Sequence, residues 1–170
     1  MVRCLITCLI YMGILGLLCF PFGRVLSRLP LNADGFPFCC YAWEHNGRIY
    51  NKLRVRSWQS VVPDVSRMFP GSIPKKEVGV QPDENVLQTA LKETCVAELT
   101  HWILCIAGLV FLRLWPGMGG LCCYLIYVLL GNLPFIVIQR YNRPRLQRTI
   151  SVTKQRERRM IHACTDPQFE

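Results

Sequence analysis

Two stretches of this chain carry no charged side chain, Cys4–Gly23 and Leu114–Gln139. No other feature constrains the fold more. A helix of about 20 apolar residues, at about 1.5 Å rise each, crosses the hydrocarbon of a bilayer. Both stretches meet that length. In lipid every backbone polar group must be satisfied within the chain, and over runs this long the helix is the structure that achieves it. A third uncharged stretch, Leu99–Leu112, is shorter, and its titratable groups are His101 and the thiol of Cys105. It spans only if its helix begins earlier, in water, and enters the bilayer part-way along. The fold class expected is an all-α membrane protein with about three transmembrane helices.

The remaining segments fill in the order along the chain. Residues 1–23 read as an N-terminal transmembrane anchor, ended by Pro21 and Gly23. Arg3 and the apolar run also fit a secretory signal, but the run is long for one and no small-x-small cleavage pattern follows, so an anchor that stays is expected. Residues 24–82 form a cytoplasmic or interfacial region. Within it Tyr50, Leu53, Ser57 and Val61 recur near the helical period, with Arg48, Lys52 and Arg56 on another face. Such a segment suits an amphipathic helix lying in the head-group layer, or equally a surface helix packed on the rest of the protein. Pro63 stops it, and Pro70–Pro82 reads as a loop. Residues 83–146 form a membrane hairpin. Asp83 is placed to cap the start of a long helix, Trp115–Gly120 is a tight turn, and Pro144 breaks the chain direction by disfavouring the helical region for Arg143. Residues 147–170 are a basic tail. A helix opened by Pro144 would lay Leu146, Ile150, Met160 and Ile161 along the membrane surface.

The net charge is +9, and it is uneven. Between Arg140 and Met160 stand eight basic residues against the single acid Glu157. Beside an apolar span such a cluster points to anionic membrane lipids as partners rather than nucleic acid. By the positive-inside rule it also places the tail in the cytoplasm, and with it residues 24–99. The chain is then a multi-pass protein of the cell membrane whose site lies on the cytoplasmic side.

Ten cysteines would suggest a disulfide framework in a small secreted protein. Here Cys4, Cys8, Cys19, Cys105, Cys122 and Cys123 lie in the apolar stretches, where a thiol behaves as a small hydrophobe. Cys39–Cys40 and Cys95 offer a redox pair or a metal site, but with no CxxC and no Cys/His quartet the reading as ordinary thiols is favoured. No disulfide is expected to be needed, and no metal or other cofactor is expected.

Chemistry is best sought where water gives way to lipid. Glu98 and His101 are three apart on one helix face. A carboxylate that accepts from one ring nitrogen leaves the other as a base, an arrangement suited to deprotonating a hydroxyl for attack on an acyl group. The same two residues would also simply end the hydrated part of the helix. Asn132 lies within an apolar span beside Gly131 and Pro134. Polarity at that depth is costly and marks either a functional group or an interhelical hydrogen bond. Gln139-Arg140-Tyr141-Asn142-Arg143-Pro144-Arg145 is the densest run of donors in the chain. Its arginines either snorkel to lipid phosphates or, with Gln139 and Asn142, hold a sugar, a phosphate or an oxyanion. The sequence lacks GxSxG, P-loop, HExxH and GxGxxG patterns, and the His-x-x-x-x-Asp pair of glycerolipid acyltransferases.

Ala97-Glu98-Leu99-Thr100-His101-Trp102, then Asn132-Leu133-Pro134, then Gln139-Arg140-Tyr141-Asn142-Arg143-Pro144-Arg145-Leu146 resemble the glycosyl-4,4'-diaponeurosporenoate acyltransferases. The stretch Glu44–Trp58, with Gly47 and Lys52, resembles the same family's upstream segment. The match runs from about Trp43 to Leu146, while the first span and the tail match in character only. The resemblance implies a membrane acyltransferase that esterifies a fatty acyl chain onto a sugar hydroxyl of a glycosylated carotenoid acid or a similar lipid-linked sugar. Its partners would be an acyl thioester donor and a glycosylated carotenoid or other glycolipid acceptor. On the matched positions, His101 is expected as base with Glu98 as its orienter. Asn132, Gln139, Arg140, Asn142, Arg143 and Arg145 are expected around the substrate. The rival reading is a non-catalytic membrane scaffold or regulatory subunit.

Overall fold

The structure is a computed structural model that describes residues 1–59 and 84–165. Among these residues all regular structure is helical, and three helices are long and apolar enough to cross a membrane: Val2–Leu26, Glu84–Leu114 and Met118–Ile161. Helix α1 (Val2–Leu26) presents Leu5, Ile6, Leu9, Leu17 and Leu18 outward and buries little beyond Cys8, Leu15 and Leu26. So much outward apolar surface on one helix suits lipid and not water. The helix continues through Pro21 and Gly23, which were expected to end it. A proline removes one backbone donor, and a neighbouring apolar span is a setting that tolerates the loss.

Two further short helices follow, α2 (Ile49–Lys52) and α3 (Val55–Trp58). The long helix α4 (Glu84–Ala107) runs on through a 3₁₀ turn, Gly108–Val110, into α5 (Phe111–Leu114). This is the helix that the short apolar stretch required, with an early start outside the bilayer. The proposed cap at Asp83, the stop at Pro63 and the loop at Pro70–Pro82 lie outside the described residues. After a turn at Trp115–Gly117, where Gly117 takes φ 91°, α6 (Met118–Ile126) begins the return. A π-helical segment, Tyr127–Asn132, joins it to α7 (Leu133–Thr165). Pro134 has no N–H to give the carbonyl of Leu130, and Gly131 loosens the same turn, so the α pattern is weakest there.

The sequence predicts a break at Pro144, but α7 passes straight through it. Only one bond of the ladder is lost, and packing against α4 holds both sides. The two helices run antiparallel in a fixed register. His101 lies against Asn132 and Phe135, Glu98 against Arg140, Thr94 against Arg143, and Glu84 against Lys154. Helix α1 is antiparallel to α4, with the Tyr11 hydroxyl donating to the Ala107 carbonyl at 2.9 Å. Residues 27–59, the start of α4 and the end of α7 therefore share one side of the bundle.

Two expectations for the non-membrane part change. Residues 43–59 are not one amphipathic helix. His45, Asn46 and Gly47 take positive φ in succession, and so does Arg54. The chain folds into single turns whose Tyr50 and Val55 are buried against Tyr141. Nor does Ile150 lie along a membrane surface. It is 6% exposed, in a core with Ala33, Phe38, Leu87, Leu91 and Cys95, with Leu146 packed on that core. This packing makes α4 and α7 a paired stalk beyond the apolar spans.

Candidate functional site

Four charged side chains from three segments meet at the head of that stalk. Glu44 ends a 3₁₀ turn (Ala42–Glu44), Glu98 comes from α4, and Arg140 and Arg143 stand three apart on α7. The left-handed run His45–Gly47 reverses the chain so that Glu44 and Tyr50 face each other, and Gly47 lies close against Pro144. Asn and Gly adopt such backbone readily, which is what the sharp reversal requires.

Most N–H groups of the two arginines are taken by the protein. Arg140 donates through Nε to Glu98 Oε1 at 2.8 Å, through Nη1 to Glu44 Oε1 at 2.9 Å and through Nη2 to the Pro37 carbonyl at 2.8 Å. Arg143 donates through Nη2 to Glu98 Oε2 at 2.6 Å and to the Thr94 carbonyl at 3.1 Å. Its Nε reaches Thr94 Oγ1 at 3.1 Å and its Nη1 the Phe38 carbonyl at 2.7 Å. The rings of Tyr41 and Phe38 pack under the two guanidinium groups. The Glu98 side chain is 1% exposed and the Arg143 side chain 3%. The cluster is thus electrically balanced and hydrogen-bonded throughout, the condition for charges to sit buried. Burial alone would push the Glu44 carboxyl up. The Tyr50 hydroxyl, the Tyr41 N–H and Arg140 outweigh it and hold that carboxyl below its ordinary value. Burial and the Glu44 carboxylate together push the Tyr50 phenol well up, so it remains a donor.

His101 belongs to a second, deeper group. Its Nδ1 lies 3.0 Å from Asn132 Oδ1, while Asn132 Nδ2 donates to the Tyr127 carbonyl at 3.0 Å. The second bond fixes which way the amide points, so the first must be Nδ1–H donating to oxygen. That selects one tautomer and leaves Nε2 with an open lone pair. The ring stacks on Phe135 at 4.5 Å. Asn132 is 1% exposed, and its bond does join two helices, as one of its two expected roles required.

The expected partnership of Glu98 with His101 is therefore corrected. Both oxygens of Glu98 go to Arg140, Arg143 and the Trp102 indole N–H at 3.3 Å, and Asn132 orients the histidine instead. At a spacing of three, a carboxylate reaches the ring only if nothing better competes, and two guanidinium groups compete. Gln139 and Asn142 are half-buried on α7 and join neither group. Arg145 is exposed, stacks over Tyr141 at 3.7 Å, and reaches Asn51 at 3.5 Å. The Tyr141 hydroxyl is buried without a hydrogen-bond partner among the described residues.

Glu44, Tyr50, Tyr41 and Thr94 were not singled out from the sequence as site residues. One signal was available: two arginines at a membrane boundary need carboxylates if they are buried, and Glu44 lies in the one polar segment that precedes α4. A small cleft lined by Phe38, Cys40, Glu44, Arg140, Arg143, Pro144 and Gln147 opens beside the cluster. Among the described residues no group of three or more His, Cys, Asp or Glu side chains is placed to hold a metal ion.

Residues 36–152 match the model of the glycosyl-4,4'-diaponeurosporenoate acyltransferase family. The proteins named glycosyl-4,4'-diaponeurosporenoate acyltransferase from Staphylococcus haemolyticus (strain JCSC1435) and Staphylococcus aureus (strain N315) are each 29% identical to it. The alignments run over 123 and 126 residues, covering 72% of this chain in both cases and 70% and 73% of the relatives. No solved structure matches.

Proposed function

This chain belongs to the glycosyl-4,4'-diaponeurosporenoate acyltransferase family and is an acyltransferase, and from that premise we propose that it esterifies a fatty acyl chain onto a sugar hydroxyl of a glycosylated carotenoid acid or a similar lipid-linked sugar, with His101 as the base. The observation that carries this reading is the His101–Asn132 bond, which leaves Nε2 free to accept a proton at the level where the apolar spans end. Nε2 takes the proton of the sugar hydroxyl as its oxygen attacks the carbonyl carbon of an acyl thioester. The carbon–sulfur bond then breaks, and the departing thiolate takes the proton back from the imidazolium.

The charged cluster sits about one helical turn from His101 and supports the same geometry. It pins α4 to α7, and so holds His101 against Asn132. Of its two arginines, Arg140 keeps two N–H groups that no atom of the described residues takes and has the more exposed side chain, 11% against 3%. It is the better placed to hold an acyl carbonyl or a sugar oxygen. Arg143 keeps one. Gln139 and Asn142 remain the candidates for sugar contacts, since neither side chain is committed among the described residues. The basic residues of α7 favour the cytoplasmic side for the site.

The test is transfer of a labelled acyl group from a thioester to glycosyl-diaponeurosporenoate in membranes carrying the protein. His101→Gln keeps size and polarity but has no basic nitrogen. It should accumulate normally and lose about 10²–10⁴-fold in transfer. Near-normal transfer by this variant would remove His101 from the mechanism.

A further inference from the structure

The stalk carries charge beyond the last apolar span. Arg145, Arg148, Arg156 and Arg159 are all exposed. At 3.6 residues per turn they fall within an arc of about 80°, with Val152 near its centre. Val152 is itself 42% exposed. The stripe is about 21 Å long at 1.5 Å per residue. Helix α7 runs unbroken from the last apolar span, and α4 stays beside it up to the Lys154–Glu84 pair at 2.7 Å. The stripe therefore rises off the bilayer instead of lying on it. Arg159 is 21 residues past Ile138, or about 30 Å along the axis, whereas the head-group layer is only about 5–7 Å deep. Anionic lipid is thus a poor partner for most of it.

We infer that this arginine stripe, with Val152 at its centre, docks an acidic carrier protein that presents the acyl group as a pantetheine thioester. The inference rests on the acyl-transfer reading above and names its donor. Three features favour this occupant. Positive side chains around an apolar centre complement an acidic protein surface carrying apolar residues. A stripe of about 21 Å exceeds the nucleotide head of acyl-coenzyme A but matches a docked helix of about 14 residues. The near end of the stripe, Arg145, lies ten residues from Phe135, the ring stacked on His101. That is about 15 Å, a span that an extended pantetheine arm covers.

The experiment compares two donors, palmitoyl-loaded bacterial acyl carrier protein and palmitoyl-coenzyme A, using the full chain in nanodiscs. The variant reverses Arg148, Arg156 and Arg159 to Glu, and a companion carries Lys at all three. The reversal should raise KM for the carrier-protein donor about ten-fold or more, leave kcat and the coenzyme A reaction unchanged, and be rescued by the Lys variant. Binding of the loaded carrier to the nanodisc, read by sedimentation without turnover, should weaken in step and with added salt. The idea is overturned if the reversal leaves carrier binding and KM unchanged, or affects both donors equally. It also fails if the effect follows the phosphatidylglycerol content of the disc and not the donor. A wild type that binds the carrier but transfers from neither donor keeps the docking and sinks the acyl-transfer reading. One that transfers only from coenzyme A and binds no carrier does the reverse.

Discussion

At the residue scale, one proton's position separates the two groups at the head of the bundle. Asn132 gives His101 a defined tautomer, and Glu98, expected to do so, instead balances two arginines. Removing one partner of a buried charge group strands the others, typically at about 3–5 kcal/mol. Glu98→Gln should therefore lower thermal stability by roughly that amount and reduce accumulation, while His101→Gln should do neither. Equal melting temperatures for Glu98→Gln and the wild type would refute the structural role. Glu44 adds a pH dependence whose sign is fixed. Its carboxyl is held below its ordinary value in the folded protein, so the unfolded chain binds the extra proton first. The stabilisation is full above the unfolded value and is lost as pH falls through the folded one. Stability measured on acidification should fall faster in the wild type than in Glu44→Gln, starting from a higher value. Parallel curves would contradict this.

At the scale of elements, backbone sterics decided what side-chain periodicity did not. Residues 43–59 have a helical spacing of apolar and basic groups, yet the left-handed positions at His45–Gly47 and Arg54 divide them. The hairpin turn shows the same control. A Cβ on Gly120 would sit 2.1 Å from the Trp115 carbonyl oxygen and 2.6 Å from that of Phe111, both backbone atoms that cannot yield cheaply. Gly13, in contrast, has nothing within 4 Å. Gly120→Ala should thus destabilise the protein by about 1–3 kcal/mol or more, and Gly13→Ala should leave it unchanged. Melting temperatures of the two variants that moved together would show that the turn does not depend on this approach.

At the scale of the whole molecule, three helices long and apolar enough to cross a membrane, the last with a basic exit, lead to a prediction of orientation. Reporters fused after Glu170 and inserted within 70–82 should both report from the cytoplasm. Either one reporting from outside would exclude this arrangement. The nine cysteines other than Cys164 are free thiols, six of them in the apolar stretches. The number of span-length helices, the early start of α4 and the polar segments of α4 and α7 that meet at the candidate site were legible in the chain. These follow from hydrocarbon thickness and from the cost of burying charge, which act on composition residue by residue. The resemblance at Glu98–His101 and at Gln139–Leu146 pointed to the same region. What the sequence could not reveal was who partners whom. Glu44 lies 96 residues from Arg140, and no spacing rule links them. Only the antiparallel register of α4 and α7, with the 27–59 segment folded across their ends, brings those charges together. The same register passes the helix through Pro144, buries Ile150 and replaces Glu98 with Asn132 beside the histidine. The physical reason is that a buried charge or ring nitrogen takes the best partner within hydrogen-bond reach in space, and packing sets that reach.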